Sequence, residues 1–248
     1  MVAPLFFAPE VASAKVGTEF LLGGAEGKHA AVVRRMRAGE LIQLTDGEGF
    51  RASGKVVQIQ GSEVHIRIDE VISEQLPALQ LTLVQALAKG DRDELAVQAA
   101  TELGALGVIP WQATRSVSRW EGAKAEKGRQ RWQTIATEAA KQSLRVFEPK
   151  VQDILTTKEL ASHVGEFDAF LVLDPTAKLG LASLDKLTGK VAIVVGPEGG
   201  IDEHELGVLQ SAGAKRVHIG NGVLRTSTAG LAAISFLVGG SGLWNSAE

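Results

Sequence analysis

The segment VAIVVGPEGGIDEHEL, Val191 to Leu206, restricts the possible folds more than any other stretch of the chain. Its apolar run reads as a buried strand, its Gly-Pro-Glu-Gly-Gly as a turn, and Asp202 to Leu206 as the acidic first turn of a helix. Nucleotide-binding proteins use this order to bring backbone amides against a phosphate. The residues oppose a phosphate here, because Pro197 has no N–H and Glu198 would repel an anion. Neither G-x-G-x-x-G nor a G-K-[ST] ending is present. Two readings remain: an adenosine-like ligand without phosphate, carrying positive charge, or a plain turn whose glycines only permit positive φ.

The rest of the chain falls into two textures, divided into residues 1–74 and 75–248. The first holds short alternating segments broken by glycine, GTEFLLGG, ELIQLTDGEGF and GKVVQIQGSEVHIRI, and reads as a small β-rich module. In its last segment Val57, Ile59, Val64, Ile66 and Ile68 recur at period two around Gly-Ser, which predicts a hairpin. The polar SEQLPAL, with Pro77, reads as the linker.

Beyond it strands alternate with helices. LQLTLVQAL, GVIPW, AFLVLD, VAIVV and RVHIG read as strands. RDELAVQAATELG reads as a helix ending at Gly104, and EKGRQRWQTIATEAAKQSLR, KELASHV, DEHELGVLQSAGA and the apolar RTSTAGLAAISFLVGG also read as helices. This alternation predicts an α/β fold with a largely parallel sheet covered by helices on both faces. Trp132, Ile135 and Ala139 share helical spacing and read as core.

Composition narrows the chemistry. The chain has 248 residues, enough for one large or two modest domains, and 45% of them are hydrophobic. It has no cysteine, which excludes disulfides, thiolate metal sites and thiol nucleophiles and fits a reducing, cytoplasmic setting. Its five histidines are scattered, so no metal is expected. The apolar start MVAPLFFAPE lacks a basic n-region and is too short to span a bilayer, so neither export nor a membrane is expected. The net charge of -3 leaves a nucleic-acid partner open, because basic residues cluster in KHAAVVRRMRAGE, Lys28 to Glu40.

A second glycine turn, IGNGVLRTSTAG, Ile219 to Gly230, follows the last strand. In a parallel sheet it shares the carboxyl edge with the first turn, where α/β proteins bind ligands. Thr226 or Ser227 reads as a helix cap. Arg225 beside such a pocket must be paired or meet an anionic or polar partner.

GPEGGIDEHEL followed by HIGNGVLRTSTA resembles the paired signature of the ribosomal RNA small subunit methyltransferase E family. That family belongs to the SPOUT class of S-adenosylmethionine-dependent RNA methyltransferases. HAAVVRRMRAGE is similar to its His-x-x-x-Val-Leu-Arg-x-x-x-Gly segment. KGDRDELAVQAATELGALGVIPWQATRS and EAAKQSLRVFEPKV sit where the family has its Lys-Gly-Asp, Thr-Glu-Leu-Gly, Arg-Ser and Glu-Ala-x-x-Gln-Ser-x-Arg elements. The resemblance spans nearly the whole chain. It implies a small PUA-like β-barrel over 1–74, then a SPOUT-type α/β domain with a deep trefoil knot over 75–248. It also implies a homodimer with its active sites at the subunit interface. The implied activity is methylation of N3 of one uridine in 16S ribosomal RNA of the small ribosomal subunit.

The resemblance assigns the cofactor to Gly196, Pro197, Glu198, Gly199 and Gly200 of the first loop and to Leu173 at the end of AFLVLD. Ile219, Gly220, Asn221 and Leu224 join them from the second loop, with Arg225, Ser227 and Ala229. Backbone groups would read adenine while Leu173, Ile219 and Leu224 pack on the ring. A positive sulfonium is compatible with Glu198. The chain departs from the family in having Ile219 to Gly222 in place of Leu-Gly-Pro-Arg, Ser227 in place of glutamate, and Arg34 in place of leucine.

Methylation at N3 requires loss of an imide proton, and Arg225 is the candidate catalytic residue: a fixed guanidinium would favour the anionic base. A structural ion pair or a phosphate clamp is its other reading. His204 reads as exposed rather than as a base. Candidate RNA contacts are His29, Arg34, Arg35 and Arg37 in the first module and Lys89, Arg92, Arg115 and Arg119 in the second. Arg145 joins them, since the resemblance turns it toward the active-site side with Glu138 and Gln142. Three alternatives stand beside this reading: a SPOUT enzyme for transfer RNA or 23S RNA, an assembly factor that lost catalysis, and, last, a dinucleotide oxidoreductase without its glycine fingerprint.

Overall fold

Alternating segments near the start of the chain form a five-stranded sheet in the order β1-β3-β4-β5-β2. Its strands are β1 (Leu5–Phe7), β2 (Glu19–Leu22), β3 (Leu41–Thr45), β4 (Phe50–Gln60) and β5 (Glu63–Ser73). β1 pairs with β3 in parallel, and the other pairs are antiparallel. β1 and β2 end the hydrogen-bonded path, so the sheet curls round Phe6, Leu44, Val64, Ile66 and Ile68 without pairing its edges. The computed structural model, which describes residues 2–244, divides into two units. Met1 and residues 245–248, the end of the expected second domain, lie outside the described residues.

β4 and β5 form the expected hairpin across Gly61 and Ser62. The period-two reading fails at Val57, however. Irregular pairing between Val56 and Gln58 adds a residue to the strand, so Val56 enters the core and Val57 is exposed. Between β2 and β3 lie α1 (Gly24–Lys28) and a single π turn, His29–Val33. The first unit also takes in Ala140–Glu148. There Thr45 Oγ1 donates to the Val146 carbonyl at 3.1 Å, and Lys141 pairs with Glu26 at 2.8 Å.

The second unit contains β6 (Leu79–Ala86), α2 (Arg92–Leu103), β7 (Ala105–Gln112), the start of α3 (Ala123–Gln142), β8 (Lys150–Val151) and β9 (Leu155–Thr156). It continues with α4 (Thr157–Ser162), β10 (Ala169–Leu173), β11 (Gly189–Val195), α5 (Glu203–Ser211), β12 (Lys215–Val217) and α6 (Thr226–Ser241). Strand order is β12-β10-β11-β6-β7-β8, with β9 also on β7, and every pairing is parallel. Successive side chains alternate between faces. Leu81, Leu83, Ile193 and Val195 pack with Ala96, Ala100, Ala233 and Ile234 of α2 and α6. Val84, Ala192 and Val194 pack with Leu160, Leu206 and Leu209 of α4 and α5. Both faces are covered, which is why these strands are nearly continuous apolar runs.

Trp132 is buried, as its spacing predicts, and lies edge-on to Trp120 with ring centroids 5.0 Å apart. From β6 the chain proceeds outward to β7 and β8 on one side, while β11, β10 and β12 occupy the other. The order therefore reverses between β6 and β11, where open α/β sheets leave a crevice outside the strand carboxyl ends.

Candidate functional site

The loops that leave β10, β11 and β12 enclose a cleft of about 520 Å³ at this carboxyl edge. Each loop is fixed by its own sequence. Asp202 caps α5 by accepting from the His204 N–H at 2.9 Å, and Glu205 answers with the reciprocal bond to the Asp202 N–H. The same Glu205 is 3% exposed and accepts from Thr114 N–H at 2.9 Å and from Thr157 Oγ1 at 2.5 Å. It thus joins the start of α5 to the loop after β7 and to α4.

Gly200 and Gly220 have φ of 73° and 69°, the left-handed region that favours glycine. Gly196 has a different constraint, because a Cβ there would lie 2.5 Å from Ile201 Cγ1. Thr226 does not cap α6, contrary to the sequence expectation. Arg225 occupies the cap position and no side chain bonds there. The Thr226 hydroxyl instead donates to the Gly196 carbonyl at 2.8 Å and accepts from Gln85 Nε2 at 2.9 Å. A cap would have to accept from a helix N–H, and here the hydroxyl oxygen accepts from the Gln85 amide while its proton goes to the Gly196 carbonyl.

Of the residues expected to hold a cofactor, Leu173, Gly196, Pro197, Glu198 and Gly200 line the cleft from one side, and Ile219, Leu224, Arg225 and Ala229 from the other. Gly199, Gly220, Asn221 and Ser227 lie in the same loops or at the start of α6 but are not part of the lining. Gly199 instead offers its carbonyl to Arg115 at 3.3 Å. Arg225 is exposed and, among the described residues, makes no ion pair or side-chain hydrogen bond. Its guanidinium is free to meet a ligand.

The other charges are committed. Burial alone would raise the Glu198 carboxyl, but bonds from its own amide, from Arg92 and from the Lys89 N–H outweigh it and hold the group below the usual carboxylate range. The Arg92 and Lys89 N–H distances are 2.8 Å and 3.0 Å. Asp174 is nearly buried at the end of β10. Burial would raise it too, yet the Thr176 N–H and hydroxyl and the Arg216 guanidinium, with Nε at 2.6 Å, hold it low.

Among the candidate RNA contacts, Arg92 and Arg115 also line the cleft. Arg115 pairs with Asp202 at 3.0 Å, and Arg119 donates to the Thr114 carbonyl at 3.0 Å. Lys89 is exposed beside them. His29, Arg34, Arg35, Arg37 and Arg145 belong to the first unit. His29 is half-buried, edge-on to Phe6 with centroids 5.8 Å apart, which fits a packing role. Arg34, Arg35 and Arg37 are exposed, with Arg35 at φ 54°. Arg145 is half-buried, and burial lowers its pKa. His204 lies exposed on the first turn of α5. Among the described residues no three His, Asp or Glu side chains gather to hold a metal ion.

Sequence reasoning missed Gln85, Asp174, Thr176, Glu205 and Arg216. Two signals were present: Gln85 is a lone polar residue inside the apolar run LTLVQAL, and Asp202 with Glu205 has capping-box spacing.

Residues 74–238 match the RNA methyltransferase domain family, and residues 22–69 match the RNA methyltransferase PUA domain family. The chain is 40% identical over 239 residues to ribosomal RNA small subunit methyltransferase E of Mycobacterium bovis, covering 94% of this chain and 90% of that protein. It is 35% identical to the Bacillus subtilis protein of the same name, over 87% and 88% of the two chains. A crystal structure of the Neisseria gonorrhoeae ribosomal RNA small subunit methyltransferase E, bound to S-adenosylmethionine, is similar with a TM-score of 0.86 and 29% identity. That match covers 96% of this chain and 98% of the other.

Proposed function

Because the chain belongs to the ribosomal RNA small subunit methyltransferase E family, we propose that it methylates N3 of a uridine in 16S ribosomal RNA, with S-adenosylmethionine as the methyl donor. The observation that carries this reading is Arg225, unpaired on the rim of a cleft formed by two glycine loops at the switch point of a parallel sheet.

The residues fit the cofactor. A volume of about 520 Å³ lies within the range of roughly 300–1,000 Å³ usual for small-ligand sites. Leu173, Ile219 and Leu224 offer apolar surface to a flat ring, and the lining carries the carboxylates of Asp174 and Glu198, held by Arg216 and Arg92, and of Glu203, which do not repel a cation. Bound there, S-adenosylmethionine supplies an electrophilic methyl group on a positively charged sulfur. The protein's contribution is positional and electrostatic. Arg225, with no internal counter-ion, stabilises the negative charge that uracil develops on O2 or O4 as N3 loses its proton. Arg115 is tethered to Asp202 and Gly199, and so holds a second positive group at the mouth of the cleft without leaving its place.

The reading extends to assembly. α6 turns Ala232, exposed Phe236 and Gly240 outward at a spacing of four, and α2, which packs against α6, leaves Leu95 exposed. This apolar face supports a homodimer, and the trefoil knot belongs to the same reading. Among the described residues no helix is long and apolar enough to cross a membrane. An enzyme of small-subunit RNA works in the cytoplasm, where those subunits are made.

The test is methylation of small ribosomal subunits that lack the uridine methyl group, read by mass spectrometry of the nucleosides. The wild-type chain should produce 3-methyluridine; a different methylated nucleoside would refute the assigned atom. Arg225→Ala should lower turnover by about 10²- to 10³-fold with unchanged thermal stability, since the side chain is exposed and unpartnered. Normal turnover by that variant would remove Arg225 from the reaction.

A further inference from the structure

The floor of the cleft holds a buried polar chain that closing a parallel sheet does not require. Gln85, next to last in β6, is fully buried. Its Nε2 donates to the Ala86 carbonyl at 3.0 Å and to Thr226 Oγ1 at 2.9 Å, and Thr226 passes its own proton to the Gly196 carbonyl at 2.8 Å. The direction of this chain is fixed. An amide turned over would put its oxygen against the Ala86 carbonyl, and a threonine hydroxyl has one proton, which here goes to Gly196. The arrangement leaves Gln85 Oε1 buried with no partner.

An orphaned buried acceptor costs stability, and a leucine would fill the same volume without one. The amide is therefore not explained by packing. What it does is connect the ends of β6, β11 and the loop before α6. It holds the carbonyl of the first glycine loop to the residue that follows Arg225. We propose that Gln85 is a positioning residue for the cofactor site: by setting the direction of the Gln85–Thr226–Gly196 chain it fixes the two glycine loops at the spacing the cofactor needs. Gln85 does not line the cleft itself and acts only through Thr226. The inference rests on the cleft being the S-adenosylmethionine site.

The test is isothermal titration with S-adenosylmethionine, together with KM and kcat on unmethylated small subunits, for the wild type, Gln85→Leu, Gln85→Glu, Thr226→Val, Thr226→Ser and the Gln85→Leu/Thr226→Val double variant. A wild type that binds no S-adenosylmethionine would refute the site assignment on which the inference rests. Given wild-type binding, Gln85→Leu and Thr226→Val should each weaken it about tenfold, the effect of one lost buried hydrogen bond. KM for S-adenosylmethionine should rise by the same factor while kcat changes little. Thr226→Ser, which keeps the hydroxyl, should bind as the wild type does. Gln85→Glu, buried against the Ala86 carbonyl without a cation, takes up a proton and can give it to only one of the two acceptors, so it should fall between the wild type and Gln85→Leu. The double variant should be no worse than either single one, because the chain acts as a unit. Binding within twofold of wild type in Thr226→Val would overturn the proposal even where Gln85→Leu proves too unstable to assay, and where it can be assayed fully additive losses in the double variant would do the same.

Discussion

Replacing Glu205 with alanine tests how the cleft is held together. Glu205 is a buried carboxylate without a cation partner among the described residues, kept by three donors: the Thr114 N–H, the Thr157 hydroxyl and the Asp202 N–H. It also lies in the first turn of α5, where the helix dipole favours negative charge. Hydrogen bonds to a charged group contribute about 1.5–3 kcal/mol each, and a cap about 1 kcal/mol. Thr114 is exposed, so its N–H regains water after truncation and its share falls to the low end. The sum is then about 4–5.5 kcal/mol. A domain of this size loses roughly 2–4 °C of Tm per kcal/mol, so Glu205→Ala should lower the transition of the second unit by about 8–22 °C. Glu205→Gln keeps one acceptor oxygen for Thr114 and Thr157 but turns an N–H toward the Asp202 N–H, so it loses the charge and the capping bond and should cost about 2 kcal/mol. Urea and thermal unfolding followed by circular dichroism measure both. A loss below about 1 kcal/mol for Glu205→Ala would mean that these bonds add nothing over hydration, and the account of Glu205 as the tie between the start of α5, the loop after β7 and α4 would be refuted.

Gly196→Ala should weaken S-adenosylmethionine binding by tenfold or more and destabilise by about 1–3 kcal/mol, because the new Cβ meets Ile201 Cγ1 at 2.5 Å; calorimetry and a urea midpoint equal to wild type would count against that contact. Asp174 is held below its ordinary pKa of 3.8, so its bonds to Arg216 and Thr176 stabilise the fold above that pH and are lost as the pH falls through the depressed folded value. Asp174→Asn should therefore be less stable than wild type at pH 7, with the gap narrowing below pH 3.8; a gap independent of pH in urea titrations would refute the linkage. Phe236→Asp places a charge on the outward face of α6 and should convert a dimer to a monomer by light scattering, and a variant that stays dimeric would move the interface elsewhere.

The sequence by itself determined the longer elements of the second unit and the two glycine loops of its site, but not β8, β9 or the part that the loop after β10 plays in the cleft. Parallel strands buried on both faces need uninterrupted apolar runs, so AFLVL and VAIVV announce themselves locally. Asp202 and Glu205 likewise mark the start of α5 within four residues. The glycine loops were legible because backbone constraints are written in residue type. What depended on pairing was not legible. The bulge that turns Val57 outward comes from the register of β4 on β5, and no pattern within one strand records its partner. The return of Ala140–Glu148 to the first unit has no local signature either. The site divides in the same way. Which loops form the cleft follows from strand order, and whether a charge is free follows from what lies across from it. Arg92, Arg115 and Arg225 look alike in the sequence, yet only tertiary structure pairs the first with Glu198 and the second with Asp202 and leaves the third unpaired. These partners lie far apart in the chain, Gln85 and Thr226 by 141 residues, so the fold alone brings them within reach.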